Sequence, residues 1–148
     1  MSIVFKSNLI PAPGSIDDSW ACLTKGWKLI DVNAESIESG IVMEGPGPQS
    51  EEWVVLIISR EGRITQPQLE DFAPFYQEFE KALIGLQQGE ILNCLTTNGR
   101  AMCGVTNDIQ GRKFSNDAFI NGARASGITG SGPAIVIVIP RVVYSSVE

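Results

Sequence analysis

Three observations predict an α+β fold, an antiparallel sheet with helices on one face, for this 148-residue sequence. Trp53–Ser59 (WVVLIIS) is a continuous apolar run suited to a strand covered on at least one face. From Leu69 to Leu86 apolar residues recur at helical spacing. Ala134–Tyr144 returns to a segment rich in Val and Ile. Strands, then helices, then a closing strand is the order of a sheet with its helices segregated to one side. No repeat, low-complexity tract or internal boundary divides the sequence, so residues 1–148 read as a single domain large enough to bury a core.

Each element follows from local chemistry. Pro11-Ala12-Pro13-Gly14 is a turn, because both prolines block ladders and helices. Trp27–Val32 alternates and reads as a strand, and Gly40–Glu44 as a second, closed by the rigid loop Gly45-Pro46-Gly47-Pro48. After Trp53–Ser59, Thr65 and Gln68 offer a capping box with Pro67 in the first turn. Leu69, Phe72, Tyr76, Phe79, Leu83 and Leu86 then form a core-facing stripe, kinked by Pro74. Gln87-Gln88-Gly89 breaks the segment, and a second helix covers about Glu90–Gly104. Ser115 is read as the N-cap of a third helix over about Asn116–Ser126, and Ala134–Tyr144 as the last strand.

Composition narrows the chemistry. The sequence has no histidine, which removes Ser-His-Asp and Cys-His nucleophile systems, His general bases and His-ligated zinc from within this chain. Eleven basic against seventeen acidic residues give a net charge of −6, which argues against nucleic-acid binding. The longest apolar runs are far too short to cross a bilayer, and Met1–Asn8 lacks the pattern of a signal peptide. Cys22, Cys94 and Cys103 are odd in number and widely spaced, so they read as buried, reduced thiols of a cytoplasmic protein.

Three segments could carry chemistry, each with a plainer reading beside it. Gly127-Ile128-Thr129-Gly130-Ser131-Gly132-Pro133 lets backbone N–H groups converge on an anion without side-chain obstruction, or is simply a helix-to-strand turn. Asp17 and Asp18 can act as a base or metal ligand, or one of them caps a short helix. Thr96-Thr97-Asn98-Gly99-Arg100 puts polar groups and a glycine in mid-helix, which marks either a site wall or close packing.

Taken in order, these segments are more specific than any alone. Gly122–Ala134 (GARASGITGSGPA) resembles the final glycine-rich motif of the galactokinase, homoserine kinase and mevalonate kinase (GHMP) superfamily, and most of all the archaeal type of shikimate kinase. Leu69–Phe79, with Ala73-Pro74 inside it, is similar to that family's L-x-A-P helix; Thr96–Gly99 followed by Cys103 is similar to its T-x-N-G-x-x-x-C helix. Gly14-Ser15-Ile16-Asp17-Asp18-Ser19 is similar to its G-A-F-D-D-A segment, with Ser15 where alanine is usual. The resemblance spans about Gly14 to Ile139.

The resemblance implies a kinase that moves the γ-phosphoryl group of ATP to a hydroxyl of shikimate, on the ferredoxin-like C-terminal lobe of a GHMP kinase. It implies that Asp17, with Asp18 as second choice, orients or deprotonates that hydroxyl. It implies that Gly127, Thr129, Gly130, Ser131 and Gly132 lie beside the transferring phosphoryl, their N–H groups facing developing charge. Arg100 and Arg124 become candidates for holding the anionic substrate. The family's serine-rich ATP loop and its Mg²⁺ ligands belong to an N-terminal lobe with no counterpart in these residues. The expectation is therefore a half-kinase, inactive as an isolated chain, with no metal site and no tightly bound cofactor of its own. ATP and Mg²⁺ would enter with the complete enzyme. Its partner would be a separate N-terminal lobe or a second copy, with Trp20, Trp27 and Trp53 as candidates for the seam. A non-catalytic ligand-binding or interaction domain of the same fold is the alternative, and a bare interaction domain the plainest.

Overall fold

The computed structural model describes residues 26–31, 34–47, 49–62, 67–130 and 132–144. They form a mixed α+β protein with two small antiparallel sheets. The chain divides into two compact units, residues 1–49 and 50–148.

In the first unit, β1 (Trp27–Ile30) pairs antiparallel with β2 (Ile41–Gly45), joined through a single helical turn, α1 (Ile37–Gly40). Both strands overlap the expected ones, although β1 is buried at all four positions and Gly40 belongs to α1. Lys28 faces Glu44 across the ladder, and their side chains form an ion pair at 2.8 Å. Trp27 is buried.

The second unit carries β3 (Trp53–Ile58), α2 (Leu69–Phe72), α3 (Tyr76–Gln87), α4 (Ile91–Val105), α5 (Ile109–Ile120), β4 (Ala125–Ile128), β5 (Ile135–Pro140) and the terminal turn α6 (Arg141–Tyr144). Its sheet has the order β3-β5-β4, with β5 antiparallel to both neighbours. Strand periodicity sends Leu56, Ile58, Ile135, Ile137 and Ile139 to one face, where they meet Met102 and Cys103 of α4 and Ala118 of α5. Val55 and Ile57 point the other way and are 56% and 66% exposed. The apolar run of β3 is thus covered on one face. Trp53 is half-buried at its start, and Trp20 lies outside the described residues.

The structure corrects four local expectations. Pro74 does more than kink a helix: residues Ala73–Phe75 tighten into a 3₁₀ turn that separates α2 from α3. The buried face of α3 runs through Ala82, Gly85 and Leu86, leaving Leu69 and Tyr76 of the expected stripe exposed. The third helix starts seven residues earlier than its expected first residue. Asp108 is its cap, its carboxylate accepting from Gly111 N–H at 2.7 Å, and Ser115 is buried in mid-helix. Finally, the closing strand stops at Pro140, which has no N–H to continue a ladder, and Arg141–Tyr144 turn into helix. Thr65 of the expected capping box lies outside the described residues; Gln68 N–H instead donates to the Asp71 carboxylate at 2.7 Å. No helix among the described residues is long and apolar enough to cross a membrane.

Candidate functional site

The glycine-rich segment is the tip of a β-hairpin. Residues 125–128 are strand, where the expected third helix ran on to Ser126, so residues 129–134 connect β4 to β5. Gly130 and Gly132 take φ of +53° and +83°, conformations in which a side chain is strained, so this turn needs glycine at both positions. Its closure is internal. Thr129 N–H donates to Ala134 C=O at 2.8 Å and Gly132 N–H to Thr129 C=O at 2.7 Å. The Thr129 hydroxyl also donates to Ala134 C=O at 3.3 Å. The N–H groups of Thr129 and Gly132, expected to face a phosphoryl group, are thus taken up inside the turn, and Gly127 is buried; Thr129 and Gly130 are exposed. Ser131 lies outside the described residues.

Beneath the tip, β4 is buried along its whole length because α4 and α5 cover it. The polar mid-helix segment of α4 supplies the contact. A Cβ on Gly99 would lie 2.5 Å from Gly127 Cα, and one on Gly127 would lie 3.1 Å from Gly99 Cα, so the two backbones touch. One turn earlier, the Thr96 hydroxyl donates to Leu92 C=O at 3.1 Å and accepts Ser126 N–H at 3.3 Å. The Ser126 and Ser115 hydroxyls bond each other at 3.1 Å, both fully buried. Of the two readings of Thr96–Arg100, close packing is therefore realised at Thr96 and Gly99.

A group that sequence reasoning missed braces the hairpin from the side. Arg60, just past β3, donates from Nε to Pro133 C=O at 2.6 Å and from Nη1 to Asp108 Oδ1 at 2.9 Å; Nη2 bonds Oδ2. Both side chains are largely buried. The bond from Arg60 and that from Gly111 N–H hold the Asp108 carboxyl below its ordinary range against the opposing effect of burial. Arg60 in turn is held more firmly protonated by the same bond. The only signal in the sequence was Asp108 three residues before Gly111 at a helix start, an N-cap pattern; nothing local ties either residue to Arg60.

The expected anion-binding arginines lie elsewhere. Arg124 precedes β4 at the end away from the hairpin tip, roughly 17 Å from Thr129 at about 3.3 Å per strand residue. Arg100 points across to α5, bonding Asn116 Oδ1 at 3.3 Å and stacking 5.5 Å from the Phe119 ring centroid. Asp17 and Asp18 lie outside the described residues. Cys94 and Cys103 are free and buried, and burial pushes both thiols up to about 11. Among the described residues, no group of three or more Asp, Glu or Cys stands close enough to hold a metal ion.

Comparison with family models, with curated proteins and with solved structures finds no match for this chain.

Proposed function

We propose that this chain is the C-terminal half of a small-molecule kinase resembling shikimate kinase, cytoplasmic, and active only with an ATP-binding N-terminal lobe. The observation that carries the reading is the backbone contact between Gly99 and Gly127. It joins the glycine-rich segment, the most specific part of the resemblance, to one of its supporting helices, 28 positions apart, in one piece of structure. The third segment joins them: the Phe75 ring, beside Pro74, lies on Gly104 of α4, where a Cβ would come within 2.5 Å of Phe75 Cζ.

In this reading the substrate hydroxyl attacks the γ-phosphorus of ATP, the bond to the β-phosphate oxygen breaks, and the proton passes to Asp17, or to Asp18 in its place. The exposed glycine hairpin suits the transferring group: positive φ at Gly130 and Gly132 gives a turn without side-chain bulk at either position. ATP supplies the phosphoryl group and Mg²⁺ the charge neutralisation, held by residues of the other lobe. The exposed Val55 and Ile57 favour a chain that works with a partner, whether that lobe or a second copy.

The test is reconstitution. Mixed with a matching N-terminal lobe, ATP, Mg²⁺ and shikimate, the chain should release ADP in step with phosphorylated product, and Asp17→Asn should abolish release. No turnover with both halves folded overturns the proposal. A second reading, a ligand-binding or interaction domain of the same fold, draws support from Arg60, since the guanidinium that reaches the hairpin is already neutralised by Asp108. Calorimetry showing partner binding indifferent to ATP and shikimate would favour it.

A further inference from the structure

We propose that Arg60 is the positioning residue of the glycine hairpin, acting as a clamp whose fixed jaw is Asp108 and whose space is provided by Gly111. Among the described residues, the Arg60–Pro133 bond is the one hydrogen bond that reaches the tip of the hairpin from outside it. A single bond from a long side chain would fix little, because arginine loses much rotamer freedom when held. Here that freedom is removed at the other end, where two guanidinium nitrogens grip both oxygens of one carboxylate. The carboxylate is itself held from a second side, because it caps α5 through Gly111 N–H.

Gly111 shows that the arrangement is built. Glycine is disfavoured in a helix, yet it occupies the first turn of α5. A Cβ there would come within 2.7 Å of Asp108 Cγ and 2.9 Å of Arg60 Nη2. Any other residue would push the pair apart. An ordinary surface ion pair needs neither that space nor a third bond to a loop carbonyl. The end of β3, the start of α5 and the hairpin are thereby locked at one point, and the lock holds the exit from Gly132 into β5.

The effect on the hairpin is independent of the kinase reading; its effect on phosphoryl transfer rests on that reading. The experiment is amide hydrogen exchange by NMR on the whole chain, comparing wild type with Arg60→Gln, Gly111→Ala and Asp108→Asn, the last keeping a good helix cap if Arg60→Gln fails to fold. The Gly132 amide should exchange roughly tenfold faster in each variant while the amides of β5 keep their rates. Gly111→Ala is the sharpest arm, since it favours the helix and should still loosen the hairpin. Unchanged exchange at Gly132 in Gly111→Ala, or acceleration of Gly132 and β5 together in every variant, overturns the clamp. In the reconstituted kinase, Arg60→Gln should lower kcat and spare KM, and an unchanged kcat overturns the role in transfer. A Gly132 response with no turnover in any form upholds the clamp and overturns the kinase reading alone.

Discussion

Gly99 of α4 and Gly127 of β4 meet backbone to backbone, at a distance that leaves no room for a methyl group on Gly99. A helix is seated against a strand at that point, and the contact sets the height of the hairpin above α4. Gly99→Ala should destabilise the protein by about 1–3 kcal/mol through overpacking, although alanine favours the helix. Urea denaturation measures it; a loss below about 0.5 kcal/mol would show that the backbones can part at little cost.

The Thr96 hydroxyl gives the buried Ser126 N–H its acceptor. Thr96→Val keeps the shape and removes that acceptor, leaving an N–H without a partner in the interior. A cost of about 1–3 kcal/mol is expected, against a smaller one when Ser115 and Ser126 are replaced together by alanine, which removes both hydroxyls of their pair. Chemical denaturation of the two variants checks the order, and a cost for Thr96→Val below that of the double variant would contradict the assignment.

Asp108 makes stability depend on acid. Its folded pKa is depressed, first by the bond from Arg60. The contribution is therefore fully present above the unfolded carboxyl value of about 3.9 and lost as pH falls through the lower folded value. Wild type should exceed Asp108→Asn in Tm at pH 5 to 7, and the gap should narrow below about pH 4. A gap that stays constant to pH 2 would mean that the charge of Asp108 has no part in it.

The thiols of Cys94 and Cys103 should be inert in the native protein, being buried and held near 11. In a Cys22→Ser background, a thiol-reactive chromogen at pH 8 should label neither residue until denaturant is added. The sign is that of a raised pKa: folding keeps both protons, so the thiol contribution is complete below about pH 9, the ordinary thiol value, and fades as pH rises towards 11. Rapid labelling of the native chain would place one of the two thiols at the surface.

The fold was legible where residues declare themselves locally. Trp53–Ile58 and Ile135–Pro140 are runs rich in Val and Ile, and α4 follows a glycine break, so β3 and α4 fall within one residue of their expected bounds and β5 begins within one, although it ends four residues early. β4 was not legible: Ala125-Ser126-Gly127-Ile128 holds one β-branched residue and three small ones, which fit under α4 rather than favour a strand. Helical spacing also misassigned Leu69 and Tyr76, because the Pro74 turn rotates one helical piece against the next. At the site, the turn glycines and Gly99 stood out by composition. Arg60 and Asp108 did not, since a charge beside a strand and a charge before a helix look alike whether solvated or paired.

Arg60 and Pro133 are 73 positions apart in the chain. The hairpin is therefore held by a residue that the β3–β5 ladder and the docking of α5 bring to it. The β3–β5 ladder closes longer connections still, 77 positions from Ile58 to Ile135, so it meets the entropic cost to which this bond adds little. Arg60→Gln should accordingly speed unfolding and leave the refolding rate nearly unchanged, as for a contact absent from the transition state. A change at the end of β3 is thereby felt at a turn 73 positions away.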